Sequence, residues 1–321
     1  MPAPPLEVLT IGRVSVDVYP DQPGPLEDVE TFRTYLGGSP TNVAVAAARH
    51  DRRSAVVTAV GADPFGRIVR RELHRYGVDD RFLLERPGHQ TPLAFCEMFP
   101  PDSFPLYFYR HRAPDLTITP ADVDTDAVRT AGVFWATVTG LCAEPSRTAT
   151  LEALRARDGA GLTVLDLDYR PMLWDSPTTA HRAVRAAMPH VNVLVGNLDE
   201  YEVAVGTRDP KAAAYAAREA GDDGFRVAVV KRGPDGVLAL DADDEVVDVP
   251  AIPVPVVNGL GAGDAFGGAL CHGLLGGWPL ERALRFANAA GAYVTTQVAC
   301  SAAMPTTEQV HALLREAGDD R

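Results

Sequence analysis

Two hydrophobic periodicities alternate along the chain. Short apolar, β-branched runs of strand length are followed by stretches whose apolar residues recur at helical spacing. Val8-Leu9-Thr10-Ile11-Gly12 is the first such run. Gly37-Gly38-Ser39-Pro40 then carries a helix-start signature, with Ser39 as N-cap and Pro40 as first residue of a helix over Pro40 to His50. Ser54 to Val60 is again apolar, Asp63-Pro64 repeats the capping signal, and Gly77 closes the helix that follows. The alternation continues through Gly132 to Thr137, Leu162 to Leu167, Val191 to Val195 and Val227 to Lys231, which predicts a mainly parallel sheet with helices on both faces.

Two stretches break the rhythm. Thr31 to Tyr35, and Pro92 to Phe99 with Leu106 to His111, are strand-like without an intervening helix. They predict a small antiparallel sheet, a lid over residues 13–36 and 90–114. The C-terminal third is the most helical, with Gly263 to Leu275, Leu280 to Gln297 and Thr306 to Glu316 as helices, and the acidic tail Gly318-Asp319-Asp320-Arg321 is expected to fray. No repeat or long linker interrupts the chain, so one α/β domain over residues 1–321 is expected.

Composition narrows the function classes. With 46% hydrophobic and 23% charged residues, the 321-residue chain is an ordinary globular protein. A formal net charge of −13 argues against a nucleic-acid backbone or an anionic membrane as main partner. An anionic substrate would need a local cluster of Arg and Lys. Cys96, Cys142, Cys271 and Cys300 form no C-x-x-C pair, so reduced, buried thiols are expected rather than a zinc site or a disulfide framework. No apolar run approaches the roughly 18 residues of a membrane span, and Met1-Pro2-Ala3-Pro4-Pro5 is no signal peptide, which points to the cytoplasm.

The strongest chemical feature is Asn258-Gly259-Leu260-Gly261-Ala262-Gly263-Asp264-Ala265-Phe266. Small residues at Gly261, Ala262 and Gly263 let backbone N–H groups converge, and a helix N-terminus adds positive potential, which makes a site for an anionic group in transfer. Asp264 beside it can take a hydroxyl proton as the acceptor oxygen attacks phosphorus. Read alone, the glycines also fit a tight turn and Asp264 a helix cap. No G-x-x-x-x-G-K-[ST] segment is present, which excludes the usual P-loop mechanism.

This Gly-Ala-Gly-Asp segment and Gly37-Gly38-Ser39-Pro40-Thr41-Asn42, in this order and separation, resemble the two signatures of the ribokinase-like (phosphofructokinase-B type) carbohydrate kinases. The resemblance covers nearly the whole chain. It implies a three-layer α/β/α sandwich with the antiparallel lid, ATP with Mg2+ as donor, and a sugar acceptor. Asp168-Tyr169-Arg170-Pro171-Met172-Leu173-Trp174, Tyr109-Arg110 before Pro114-Asp115-Leu116, and Ala303-Met304-Pro305-Thr306 look like the branch of the 5-dehydro-2-deoxygluconokinases of inositol catabolism. The related 2-keto-3-deoxygluconate kinases share the Arg-x-x-Leu-Trp pattern.

Roles follow from that resemblance. Asp17 matches the family's acceptor of sugar hydroxyls, Gly37 and Gly38 the pair where backbone packs on the sugar, and Asn42 a group bonding sugar oxygens. Asn197 and Glu200 match an N-x-x-E element that positions magnesium, largely through water, although the same pattern is an ordinary helix cap. Lys231, Gly233 and Gly236 match the nucleotide-binding turn, and Asn288 lies on the helix that borders adenine. Arg110 and Arg170 are the candidate forks for a substrate carboxylate or phosphate, with Arg33 and Arg112 weaker ones. Asn258 departs from the family's aspartate that helps hold an activating potassium ion, which puts monovalent-cation activation in doubt.

The implied reaction is phosphorylation of the terminal hydroxymethyl of a sugar acid, foremost 5-dehydro-2-deoxy-D-gluconate. 2-Keto-3-deoxygluconate and fructose are alternative acceptors, and a sugar-binding regulatory protein without transfer is a third reading. An exposed lid edge further suggests a homodimer.

Overall fold

A computed structural model describes residues 5–100, 103–221 and 224–318. The start of the chain before Pro5 and the tail after Gly318, expected to fray, lie outside the described residues. The strands β1 (Val8–Ile11), β2 (Ser15–Pro20) and β3 (Phe32–Gly37) lead to α1 (Ser39–Arg49), β4 (Ser54–Gly61), α2 (Pro64–Arg75) and β5 (Leu83–Arg86). Next come β6 (Leu93–Cys96), β7 (Leu106–Tyr109), α3 (Thr125–Thr130), β8 (Val133–Thr137), α4 (Ser146–Ala156), β9 (Leu162–Asp166), α5 (Pro177–Ala187) and β10 (Val193–Asn197). The remainder is α6 (Leu198–Val205), α7 (Pro210–Ala220), β11 (Val227–Lys231), β12 (Val237–Asp241), β13 (Val246–Val249), α8 (Ala262–Leu275), α9 (Leu280–Thr295) and α10 (Thr307–Glu316).

The chain divides into two compact units, Met1–Gly12 with Leu116–Ala251 and Arg13–Asp115 with Ile252–Arg321. In the first, the strands lie in the order β13-β12-β11-β10-β9-β8-β1. Pairing is parallel from β1 through β11 and antiparallel at β12 and β13. Every residue of β8, and Val193 to Gly196 of β10, is buried although successive side chains point to opposite faces, so helices cover both faces of the sheet. The buried Arg157 guanidinium donates to the carbonyls of Val128 and Ala131, each at 2.7 Å, closing the C-terminal end of α3. Burial brings its pKa down to about 10, which still leaves it charged at neutral pH.

The second unit holds β4 paired parallel to β5, and a four-stranded sheet in the order β3-β2-β6-β7. This small sheet is antiparallel at β2–β3 and β6–β7, with a parallel pairing of β2 to β6 in its middle. Ser39 is not the N-cap of α1: Gly38, at φ 101°, takes that place without a side-chain cap, and Ser39 opens the helix. The Asp63 cap forms as expected, accepting from Gly66 N, and Thr306, expected as the first residue of the last helix, is its N-cap and accepts from Gln309 N.

α1, α8, α9 and α10 pack together around a ring cluster. His50, closing α1, lies 5.3 Å from the His272 ring and 5.2 Å from the Phe286 ring, and its Nδ1 is 3.0 Å from Thr307 Oγ1. Burial, and then the neighbouring His272, Arg49, Arg52 and His311, hold His50 down to a pKa of about 3. The unfolded chain binds that proton near pH 6.5, so the stability given by neutral His50 is complete above that pH and drains away as pH falls towards about 3. Burial likewise lowers His272 and His311, which add to the same trend. Urea unfolding should lose about 2 kcal/mol more in the native protein than in His50→Asn between pH 6.5 and 5. Equal losses in the two proteins would rule this origin out.

Candidate active site

In the second unit, α8 opens at Gly261, whose φ of 84° puts it in the left-handed region that favours glycine. The first intrahelical bond at this end runs from Ala265 N to Gly261 O at 2.9 Å, so the N–H groups of Ala262, Gly263 and Asp264 form the open first turn of the helix. Asp264 sits in that turn with both oxygens engaged. Ser39 Oγ donates to Oδ1 at 2.8 Å, and Asn42 Nδ2 donates to Oδ2 at 2.7 Å. The dipole of α8 and these two donors all favour the charged carboxylate.

Asp17 lies on the face of β2 shared by Ser15 and Tyr19. Ser15 Oγ donates to its Oδ1 at 2.7 Å and Tyr19 Oη to its Oδ2 at 3.0 Å. Burial raises the pKa of Asp17, and the two hydroxyl donors and the Arg13 guanidinium work against that rise. Gly37, opposite Ser15 in the sheet, is required sterically: a Cβ there would fall on the Asp17 carboxylate. Tyr19 Oη also lies 3.1 Å from Cys300 Sγ, and Cys300 packs against Gly261. Arg110 is tied within the small sheet by a buried ion pair with Asp115 at 2.7 Å, the side chains 7% and 2% exposed. Asn288 is half-buried on α9.

In the first unit the charged groups gather at the C-terminal ends of the parallel strands β9, β10 and β11, where open α/β sheets bind ligands. Arg170 Nη2 lies 2.8 Å from Asp168 Oδ1 and its Nη1 3.8 Å from Glu200 Oε1. Lys231 Nζ is 3.8 Å from Asp166 Oδ1. Asn197 and Glu200 form a reciprocal cap on α6, Asn197 Oδ1 accepting from Glu200 N at 2.9 Å and Glu200 Oε2 from Asn197 N at 2.8 Å. One carboxylate oxygen is thus spent on the cap and the other faces Arg170. Among the described residues no group of three His, Cys, Asp or Glu side chains is arranged to hold a metal. Gly233 opens a short 3-10 turn after β11 and Gly236 closes it.

Several partners were not singled out in the sequence. Ser15 and Tyr19 flank Asp17 at i±2, a spacing that puts all three on one strand face, so a signal was present. Arg13, buried with its guanidinium 5.6 Å over the Phe108 ring, and Ser301, which bonds Asn42 from 259 positions away, carry none. Asn258 is fully buried, its Nδ2 donating to Val298 O at 2.6 Å and its Oδ1 accepting from Leu260 N at 3.0 Å.

The pattern described as pfkB family carbohydrate kinase matches residues 6–307. The chain belongs to that family. It is 31% identical over 319 residues to a 5-dehydro-2-deoxygluconokinase of Shouchella clausii, covering 97% of this chain and 96% of the relative. Identity to the 5-dehydro-2-deoxygluconokinase of Geobacillus kaustophilus is also 31%, over 97% and 94% of the two chains. Among solved structures, a fructokinase double mutant of Vibrio cholerae with fructose, ADP and potassium superposes with a TM-score of 0.85 at 26% identity, over 97% of this chain and 99% of that one. A sugar kinase of Pyrococcus horikoshii in complex with ATP gives 0.80 at 26% identity, over the same shares. The expected α/β fold with its large, mainly parallel sheet and separate small sheet is thereby met.

In this kinase the burial that raises the pKa of Asp17 makes its ionised form costly to the fold. Its folded-state pKa is above the unfolded one, so the cost is present at pH above the folded value and disappears as pH falls through it. Asp17→Asn is expected to melt at the same temperature as the native protein or higher at pH 8, while KM for the sugar rises about tenfold or more. Thermal melts and steady-state kinetics check both halves, and a lower melting temperature with unchanged KM would contradict the assignment.

Proposed function

We propose that the protein transfers the γ-phosphoryl group of ATP to the terminal hydroxymethyl of 5-dehydro-2-deoxy-D-gluconate, giving the 6-phosphate. The observation that carries this reading is the doubly held Asp264 carboxyl in the open first turn of α8. A module that only binds sugar needs no base at a phosphoryl-binding helix end. The two relatives named as 5-dehydro-2-deoxygluconokinases at 31% identity support the choice of acceptor.

In the reaction, Asp264 takes the proton of the acceptor hydroxyl as its oxygen attacks the γ-phosphorus and ADP departs. The N–H groups at Gly261, Ala262 and Gly263 stabilise charge on the transferring group. Asp17 accepts hydrogen bonds from sugar hydroxyls, with Gly37, Gly38 and Asn42 forming the adjoining wall. Arg170 meets an anionic group of sugar acid or phosphate, held in readiness by Asp168, and Arg110 does so only by leaving Asp115. Lys231, Gly233, Gly236 and Asn288 serve the nucleotide. Asn197 and Glu200 would hold the magnesium ion that accompanies ATP, which would supply positive charge against the phosphates. ATP as donor calls for the cytoplasm.

Turnover of 5-dehydro-2-deoxygluconate, 2-keto-3-deoxygluconate and fructose should be compared side by side. The first is expected to lead in kcat/KM by at least about tenfold, and comparable values on fructose would sink the sugar-acid assignment. Asp264→Asn should lose about 100-fold or more in kcat with little change in KM, because it removes a group used only in the transition state.

Potassium is not required in this reading. The Asn258 amide is engaged with the Val298 carbonyl, and the side chain carries no charge to attract a cation. Rates in potassium and in choline buffers should agree within about twofold, the scale of ordinary salt effects. A larger gain in potassium would show a cation site here.

A further inference from the structure

The hydrogen bonds to Asp264 do not end at α1. Asn42 is 3% exposed, and while its Nδ2 donates to Asp264, its Oδ1 accepts from Ser301 Oγ at 2.5 Å. Ser301 is 1% exposed and opens a 3-10 turn after Cys300. An amide is nearly symmetric in shape and opposite in polarity at its two ends. Turned over, it would set a carbonyl oxygen against a carboxylate, a repulsion relieved only when Asp264 takes a proton. The charge of Asp264 and the Ser301 hydroxyl donor at the other end together keep the donor end towards Asp264.

Resting on the kinase reading above, we propose that Ser301 is a positioning residue for the base. By supplying a donor to Asn42 Oδ1, it orients the Asn42 amide so that Asp264 stays ionised and aimed. Without Ser301, Asn42 Oδ1 is a buried acceptor lacking its donor, an arrangement that costs enough for the side chain to turn away and take its N–H from Asp264. A carboxylate that loses one donor binds its proton more readily. Ser39 remains on the other oxygen, so the base is weakened in its readiness and not abolished.

The test is the pH profile of kcat for the full-length enzyme, Ser301→Ala and Ser301→Cys, with Asp264→Asn in the same assay. Ser301→Ala should move the acidic limb of kcat up by about one pH unit, a tenfold loss on that limb, with kcat within about twofold of native at pH 8.5. A thiol is nearly the same size and a weaker donor, so Ser301→Cys should fall between the two, and it decides the matter if the alanine protein does not fold. A merely structural residue would lower kcat at all pH values or lower only the melting temperature. Profiles of Ser301→Ala or Ser301→Cys that superimpose on the native one, with Asp264→Asn inactive, overturn the proposal. Full activity of Asp264→Asn instead overturns the underlying assignment of the base.

Discussion

Both oxygens of Asp264 are held by side chains from the first turn of α1, and the Asp17 carboxylate packs against Gly37, two residues before that turn. The segment from Gly37 to Asn42 does two jobs within six residues: Gly37 leaves room for the Asp17 carboxylate, and Ser39 and Asn42 grip Asp264. In the proposed reaction, a carboxylate that orients sugar hydroxyls and a carboxylate that removes a proton from one of them must keep a constant separation. Asp264 is fixed by short, charge-assisted hydrogen bonds from Ser39 and Asn42, and Asp17 by donors on its own strand, Ser15 and Tyr19.

The junction is built from groups that are expensive to bury. Desolvation raises Asp17, and the chain counters it with two hydroxyls and the field of Arg13. Tyr19, one of those hydroxyls, is itself driven above its ordinary range by burial and by Asp17, so it stays a donor. Beneath it, burial pushes Cys96 up to about 12 and Cys300 higher than its ordinary value, so these thiols act as small apolar residues. Cys300 touches both Tyr19 and Gly261, so one side chain backs both the hydroxyl that bonds Asp17 and the turn that opens α8. Polar groups unfavourable to the resting fold persist where a ligand completes their bonding.

Much of the layout was legible in the sequence because the relevant forces are local. Buried parallel strands need continuous apolar runs, and helix starts need caps, so Val8–Ile11, Val227–Lys231 and the Asp63 cap were readable residue by residue. Ser39 was misread for an instructive reason. Its hydroxyl sits where N-caps usually sit, but the backbone of Gly38 ends the extended segment, which leaves Ser39 to bond a carboxylate 225 positions away. The parallel pairing of β2 with β6, the antiparallel edge of β12 and β13, and the Ser301 bond to Asn42 are long-range choices that periodicity does not encode. The two signature segments were visible as chemistry, and their joining through side chains was not.

Asn197 and Glu200 show why a motif's structural and catalytic readings need not compete. The reciprocal cap on α6 uses one oxygen of each side chain, and this fixes the Glu200 carboxylate so that its second oxygen faces Arg170. A helix cap is a rigid mount, with backbone donors that do not move when a ligand arrives, and so it is a good place to hold a charge that must be preorganised. Asn258 follows the same logic with the opposite result. Its amide makes one bond to a carbonyl and one to a backbone N–H, so both ends of the side chain are already engaged within the chain. In each case the number of hydrogen bonds already made within the chain decides what remains for a ligand.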